Sequence, residues 1–185
     1  MKRFLLVLPL LVFVLIGAVA AVMLDTSSSG QRNSRAIGFS MEGAAIPQIS
    51  MTALNNNEGG GGGGIIRLDD YKGEAFAINI FASWCVPCRL EAPAIDRLSQ
   101  RLPVIGINYR DSDDDARRFL NQFGNPFTAI GKDQDGNISI QLGVHGLPET
   151  FVVGGDGVIL YHLQGPLLAR EMAGRLNTIL QEAGL

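Results

Sequence analysis

Apolar runs and amphipathic segments alternate along the chain in a way that predicts strands separated by helices. Residues 75–82 are apolar except for Asn79, which is typical of a strand buried on both faces of a sheet. Residues 104–109 form a second such run, and residues 127–130 form a shorter one. We therefore predict three strands, each linked to the next by a helix.

Two amphipathic segments separate these strands, and a hairpin follows the last of them. The first predicted helix begins near Cys85, and Ser112 caps the second. The apolar stripe of the first helix is formed by Leu90, Ile95, Leu98 and Leu102. Residues 150–153 and 158–162 flank a Gly-Gly-Asp-Gly turn, and an amphipathic helix spans residues 168–180. This order predicts an α/β fold with a central mixed β-sheet flanked by helices.

The N-terminal part of the chain contains a long apolar segment that is separate from the predicted sheet. Residues 4–24 contain no charge and follow Lys2 and Arg3, which predicts a transmembrane signal-anchor with residues 1–3 in the cytoplasm. A cleaved signal peptide is the alternative, because Ala18, Val19 and Ala20 offer a small-residue cleavage site. In both cases the remainder of the chain is expected outside the cytoplasm.

Low-complexity segments set the expected domain boundaries. Residues 25–44 are polar and rich in serine, which predicts a tether, and residues 45–185 are predicted to form the folded domain. Within the domain we expect a first strand over residues 45–51 and another over residues 65–68. The Asn- and Gly-rich residues 55–64 between them predict a flexible loop.

The composition narrows the classes of function. The net charge of -3 gives the chain no basic footprint, so nucleic acid is not an expected partner. Apolar residues make up 46% of the chain, which excludes a wholly disordered protein. The two cysteines are too few for a disulfide-stapled mini-domain or a four-thiolate zinc site.

Both cysteines lie in one short motif, Trp84-Cys85-Val86-Pro87-Cys88, between a predicted strand and a helix. A thiolate at a helix N-terminus meets unpaired N–H groups and the positive end of the helix dipole, so its pKa falls. We expect Cys85 to be the exposed attacking thiol and Cys88 the sheltered resolving thiol. Pro87 stiffens the loop without leaving an N–H unsatisfied.

Two other interpretations of the cysteine pair remain open. The pair could be half of a zinc site, although His145 and His162 lack metal-ligand spacing to each other. It could also be a passive structural disulfide, although such bridges usually close longer loops. The redox interpretation implies no metal and no organic cofactor, because the Cys85–Cys88 dithiol is itself the redox group.

Three motifs give the chain a family resemblance from about Ile46 to its C-terminus. They span residues 79–91, 106–111 and 143–151. The sequence resembles thioredoxin-fold proteins and, within that fold, the membrane-anchored thiol:disulfide interchange proteins of cytochrome c maturation (the DsbE/CcmG type). The family normally has an ordered strand and turn where residues 55–64 intervene here, which is a departure from the pattern.

The resemblance assigns roles to residues near the cysteines. Pro148 matches the cis-proline that faces the two sulfurs, and the backbone of Leu147 then becomes the contact for a substrate strand. Glu91 and Glu149 match acids that tune the thiol pKa values, and a solvated surface charge is the alternative for each.

Four further residues are assigned to packing around the site. The resemblance places Trp84 and Pro87 beside the sulfurs and Tyr109 at the wall of a pocket. Asn79 stands where general thioredoxins have a buried aspartate, and an amide cannot take up a proton. Any base for Cys88 must therefore be another group, such as Glu91 or water.

The resemblance also implies a cellular role. It implies a single-pass inner-membrane protein whose catalytic domain lies in the periplasm and reduces the Cys-x-x-Cys-His disulfide of apocytochrome c before haem attachment. The implied partners are apocytochrome c, other maturation proteins and an upstream membrane thiol donor that restores the dithiol. A general periplasmic thiol:disulfide oxidoreductase and a membrane-tethered module that holds apocytochrome are the rival interpretations.

Overall fold

The computed structural model of the protein describes residues 40–54 and 64–184. Its strands are β1 (Ser50–Thr52), β2 (Ile65–Arg67), β3 (Phe76–Phe81), β4 (Val104–Tyr109), β5 (Ala129–Asp133), β6 (Glu149–Val153) and β7 (Ile159–Gln164). Five of them form the central sheet in the order β5-β4-β3-β6-β7, and β1 pairs with β2 in a separate two-stranded sheet. β3, the predicted buried strand, is thus the central strand.

The described residues contain five α-helices and one short 3-10 helix, of which the last two α-helices follow β7. They are the 3-10 helix Leu68–Tyr71, α1 (Val86–Ser99), α2 (Asp113–Phe123), α3 (Asn137–Gln141), α4 (Ala169–Ala173) and α5 (Arg175–Glu182). The sequence predicts one continuous last helix over residues 168–180, and this is wrong. Gly174 has φ -93° and ψ -135°, so its backbone is not helical and separates α4 from α5.

The central sheet is mixed, as predicted. β4 is parallel to both β3 and β5, because α1 and α2 return the chain to the same end of the sheet. β6 runs antiparallel to β3 and to β7. A tight turn joins β6 to β7 and accounts for the second of these pairings. Gly157 in that turn has φ +82°, a conformation that favours glycine.

Alternate residues of the central strands support two separate cores. Ala77 and Val152 pack with α1 and α5 on one face, and Phe81 on the same face packs with α2. Ile78 and Phe151 contribute to the core on the other face. We call these the α1 face and the opposite face; a strand that serves both cannot show simple alternation of apolar and polar residues.

One member of the predicted apolar stripe of α1 is corrected by the structure. Ile95 and Leu98 are buried against the sheet, as is Leu102 just beyond the helix. Leu90 is 67% exposed, because its position on the helix turns it away from the sheet. Its place in the stripe is taken by Glu91, which is buried.

The folded domain begins earlier than predicted. The N–H of Gly43 donates to the carbonyl of Ile159 at 2.8 Å, and the N–H of Ile159 donates to the carbonyl of Ala44 at 2.9 Å. Residues from Met41 onward therefore lie along β7 and cover its edge, although the sequence places them in the tether. The predicted first strand is shorter than expected, since β1 contains only Ser50–Thr52.

The predicted signal-anchor, residues 4–24, lies outside the described residues. So do most of the predicted tether and most of the Gly-rich loop. Across residues 40–54 and 64–184, no helix has the length and apolar character needed to cross a bilayer.

Candidate active site

The two cysteines form a disulfide at the N-terminus of α1. Their Cα atoms are 5.3 Å apart. Cys85 is the N-cap residue, and its Sγ accepts a hydrogen bond from the N–H of Cys88 at 3.2 Å. Pro87 lies in the first turn, where its missing N–H has no intrahelical acceptor to lose. A thiolate on Cys85 would meet the same N–H and the positive end of the helix dipole.

Both sulfur-bearing residues are buried in this oxidised state. Cys85 is 4% exposed and Cys88 is 2% exposed, so the expectation of an exposed Cys85 is wrong for the disulfide form. The reason is local packing: both residues belong to an apolar cluster with Phe81 and Ala82, and Leu147 packs against that cluster. Access to Cys85 is therefore from the cleft that it lines.

A buried aspartate fixes the loop that leads into α1. Asp111 accepts hydrogen bonds from the N–H and the hydroxyl of Ser83, at 2.6 Å and 2.8 Å. It also accepts from the side-chain amide of Asn108 at 3.0 Å. The end of β4 is thereby tied to the loop that follows β3. The sequence contains Asp111 within a family motif, but its role becomes visible only when the two strand ends meet.

Trp84 and Tyr109 lie beside this loop. The Trp84 indole N–H donates to the carbonyl of Arg110 at 3.2 Å, and the two aromatic rings meet edge to face at 6.3 Å. Trp84 remains 54% exposed. Both residues line the cleft next to Cys85, so their aromatic surface is available to a bound chain.

Glu91 lies on α1, one turn after Cys88, and it is 1% exposed. Its Oε1 accepts from the Asn79 side-chain amide at 2.9 Å, and its Oε2 accepts from the N–H of Leu167 at 2.8 Å. Burial raises the pKa of Glu91 to about 7, and the two hydrogen bonds offset only part of that effect. A carboxyl that titrates near neutral pH can both accept and return a proton.

Asn79 links Glu91 to the neighbouring strand. Its amide also donates to the Thr150 hydroxyl at 3.1 Å, and Asn79 and Thr150 are direct partners in the β3–β6 register. A cavity of about 10 Å³ is bordered by Asn79, Cys88 and Glu91. This volume is near the lower limit for a single water molecule. The polar groups behind Cys88 are thus Glu91 and Asn79.

The loop before β6 forms the other side of the site. The Leu147–Pro148 peptide bond is cis. Glu149, directly after it, is 1% exposed, and its Oε1 accepts from the N–H groups of His145 and Gly146 at 2.8 Å and 3.1 Å. Glu149 therefore fixes the backbone of the cis-proline loop, which we define as residues 145–148. It is not a solvated surface charge.

His162 completes the surroundings of Glu149, and it was not among the active-site residues predicted from the sequence. Its Nε2 lies 2.7 Å from Oε2 of Glu149, and the N–H of Met41 donates to its Nδ1 at 3.3 Å. The imidazole also stacks on Phe151 with ring centroids 4.1 Å apart. Glu149 and His162 are 13 residues apart, so only the β6–β7 register reveals the pair.

A cleft of about 450 Å³ opens beside Cys85, between the start of α1 and the cis-proline loop. Its walls include Trp84, Cys85, Val86, Pro87, Tyr109, Ile140, Val144, His145 and Leu147. Trp84, Val86 and Ile140 are exposed apolar residues, so the cleft presents apolar surface around one reactive sulfur. Such a cleft suits an extended peptide with apolar side chains.

No group of three or more His, Cys, Asp or Glu side chains suited to a metal ion occurs within residues 40–54 and 64–184.

Together, the fold, the disulfide at a helix N-terminus and the adjoining cleft define a thiol:disulfide oxidoreductase with a thioredoxin-like fold.

Comparison with known proteins agrees with that class. The AhpC/TSA family matches residues 43–162. The thiol:disulfide interchange protein DsbE of Escherichia coli is 33% identical over 171 residues, which cover 92% of this chain and 90% of the relative. The thiol:disulfide interchange protein CycY of Rhizobium leguminosarum bv. viciae is 50% identical over 97 residues, about half of each chain (51% and 52%). The chain belongs to the AhpC/TSA family and to the DsbE group of thiol:disulfide interchange proteins.

A solved structure supports the fold independently. A secreted disulfide oxidoreductase of Mycobacterium tuberculosis, described as homologous to E. coli DsbE, superposes with a TM-score of 0.60 at 20% identity. The superposition covers 73% of this chain and 96% of that one. The predicted thioredoxin-like fold is thereby confirmed.

Proposed function

We propose that this protein is a periplasmic disulfide reductase of cytochrome c maturation, anchored in the inner membrane by residues 4–24. The observation that carries the proposal is the buried Glu91 one helical turn beyond Cys88, whose two hydrogen bonds come from neutral donors. An ionised carboxylate there opposes formation of a thiolate nearby. Destabilising the thiolate makes the dithiol a better reductant, the opposite of the strong oxidants whose reduced form is stabilised.

The reaction requires both cysteines in order. The Cys85 thiolate attacks one sulfur of the substrate disulfide, forming a mixed disulfide and releasing the first substrate thiolate. Cys88 loses its proton and attacks Sγ of Cys85, which re-forms the Cys85–Cys88 disulfide and releases the second substrate thiolate. Two electrons pass to the substrate, and its two sulfurs take up the two protons that the protein thiols lose.

Glu91 is the proton acceptor that we assign to Cys88. It borders the same small cavity as Cys88, and its pKa of about 7 leaves much of it ionised at neutral pH. When Cys88 is about to attack, an ionised Glu91 can take its proton, directly or through one water molecule. Asn79 cannot do so, because an amide does not titrate in this range.

The cleft and the cis-proline loop favour a disulfide within a peptide over a small disulfide such as oxidised glutathione. An extended chain can pair with the backbone of Leu147 while its apolar side chains contact Trp84 and Ile140. A Cys-x-x-Cys-His segment of an unfolded apocytochrome c is accessible in this way. Because each turnover leaves the protein oxidised in an oxidising compartment, an upstream membrane thiol donor must restore the dithiol.

Replacing both cysteines distinguishes a disulfide reductase from a membrane-tethered module that only holds apocytochrome c. Cells that depend on this chain for holocytochrome c should lose assembly with Cys85→Ser/Cys88→Ser, whereas Asn121→Ser, an exposed change on α2, should leave assembly intact. Cys88→Ser alone should accumulate a mixed disulfide with apocytochrome c, visible on a non-reducing gel. Normal assembly with the double variant would contradict the reductase and support the holding module.

A further inference from the structure

The side chain of His162 is bound from both sides in a way that fixes its tautomer. Nδ1 accepts the N–H of Met41 at 3.3 Å, so this nitrogen carries no proton. Nε2 therefore carries the proton of the neutral ring and donates it to Oε2 of Glu149 at 2.7 Å. The ring is completely buried, so water does not compete for either hydrogen bond.

His162 binds Oε2 of Glu149, and the other carboxylate oxygen, Oε1, binds the cis-proline loop. Oε1 accepts the N–H groups of His145 and Gly146 at 2.8 Å and 3.1 Å. These residues and Leu147 line the cleft beside Cys85. The position of Leu147, to which a substrate strand would pair, thus depends on Glu149, and the orientation of Glu149 depends on His162.

The backbone of His162 is anchored in turn by the segment that begins the domain. Its N–H donates to Oε1 of Glu42 at 3.1 Å, and Arg175 contacts both oxygens of Glu42 at 2.8 Å and 2.9 Å. Met41 and Glu42 therefore bracket His162 from the edge of β7. A continuous set of hydrogen bonds runs from this segment, through His162 and Glu149, to the substrate side of the cleft.

We infer that His162 is a positioning residue for peptide substrates: its Nε2–H orients Glu149, which holds the cis-proline loop in the conformation that accepts a substrate strand. The identity of the natural peptide rests on the proposed function, whereas the positioning role concerns any extended disulfide peptide. The competing explanation is that His162 only fills space by stacking on Phe151.

Two substitutions separate positioning from packing. His162→Phe keeps a ring of similar shape on Phe151 and removes both hydrogen bonds. His162→Gln places an amide N–H near the position of Nε2 and restores a donor to Glu149. Leu163→Ala is the matched control, because Leu163 is on the same strand and packs with the core of the α1 face.

The measurement is steady-state reduction of two disulfide peptides, one containing Cys-x-x-Cys-His and one unrelated extended peptide, by the full-length protein with a chemical reductant. His162→Phe should raise KM about tenfold for both peptides with kcat changed less than threefold, because the cis-proline loop is no longer held for binding while the two cysteines are untouched. His162→Gln should recover KM to within about threefold of wild type. The rate of reaction with oxidised glutathione, which lacks an extended strand, should change less than threefold.

The outcomes distinguish this inference from the proposed function. If wild type does not prefer the Cys-x-x-Cys-His peptide, the proposed substrate is wrong while the His162 comparison remains valid. An unchanged KM in His162→Phe would overturn the positioning role. So would an equal loss with oxidised glutathione, an equal effect of Leu163→Ala, or a His162→Gln variant no better than His162→Phe.

Discussion

Two buried glutamates lie on the two faces of the same sheet, and their surroundings differ. Glu91, on the α1 face, receives one side-chain and one backbone hydrogen bond, both from neutral groups. Glu149, on the opposite face, receives two backbone N–H groups and faces the imidazole of His162. Each carboxyl lies next to one wall of the active site, and only Glu91 borders the cavity that Cys88 also lines.

These surroundings suit Glu91 and Glu149 to different roles, although both are glutamates. Glu91 is desolvated with few compensating donors, so its pKa rises to about 7 and it can exchange a proton. Glu149 binds the cis-proline loop through Oε1 and His162 through Oε2, so its hydrogen bonds connect that loop to β7. The sequence resemblance assigns pKa tuning to both acids, and this assignment stays a prediction for each; of the two, Glu91 borders the small cavity that Cys88 also lines.

Removing the carboxylate of Glu149 should have the largest effect on stability. Glu149→Ala leaves the buried imidazole of His162 and the part-buried N–H groups of His145 and Gly146 without their acceptor, at about 1–3 kcal/mol for the buried group and less for each part-buried one. We expect the free energy of unfolding, measured by urea denaturation, to fall by about 4 kcal/mol. The exposed control Glu182→Ala should change it by about 0.5 kcal/mol or less. A loss below about 1 kcal/mol would show that Glu149 does not organise the loop.

Glu91 should instead make stability depend on pH. Its pKa is raised in the folded protein from 4.5 to about 7, so the folded state binds the proton more tightly than the unfolded state. The stability that this provides is complete below pH 4.5 and is lost as the pH rises towards and through 7. The shift corresponds to about 3 kcal/mol at most.

Glu91→Gln should remove this pH dependence. The difference in unfolding free energy between variant and wild type should move in favour of the variant by about 3 kcal/mol from pH 4.5 to pH 8, measured on the oxidised proteins. Contributions from all other groups are common to both proteins and cancel. A difference that stays constant over this range would show that Glu91 does not titrate there.

Thr150→Val should have a smaller effect, confined to the α1 face. The change keeps the shape of the side chain and removes the acceptor for Asn79, which donates to it at 3.1 Å. We expect a loss of about 1–2 kcal/mol in unfolding free energy, because a buried N–H is left unpaired. Thr150→Ser, which keeps the hydroxyl, should recover most of it; equal losses in the two variants would assign the effect to packing.

The smallest effect is expected at the edge of β7. Glu42 pairs with Arg175, whose side chain is 63% exposed, so solvent screens the attraction. Glu42→Gln should lower the free energy of unfolding by less than about 1 kcal/mol, with a smaller loss at high salt. A loss comparable to that of Glu149→Ala would mean that the N-terminal segment supports the site much more strongly than the exposed ion pair suggests.

The parts of the fold that the sequence predicts well are those with local signals. Residues 75–82 predict β3 because a strand buried on both faces needs a continuous apolar run. Ser112 predicts the start of α2, and its side chain does accept the N–H of Asp115. The motif around Cys85 and Cys88 predicts the disulfide at the start of α1, because the strand, loop and helix are consecutive in the chain.

The parts that the sequence does not predict depend on contacts between distant residues. The approach of Asp111 to Ser83 requires the ends of β3 and β4 to meet. The pairing of Met41 with His162 joins residues 121 positions apart, and nothing in the tether-like composition of residues 25–44 indicates it. The exposure of Leu90 and burial of Glu91 reverse the usual preference of both residue types, which local periodicity cannot foresee.

The direction of electron transfer is the central claim, and the equilibrium reduction potential of the Cys85–Cys88 disulfide tests it most directly. We expect the purified protein, titrated against glutathione at pH 7, to have a potential below about -200 mV, on the reducing side of the thioredoxin-fold range. Glu91→Gln should shift the potential towards oxidising values by about 30 mV for each 1.4 kcal/mol of thiolate stabilisation. A wild-type potential of about -120 mV, as for a strong oxidant, would contradict the assignment of this protein as a reductase.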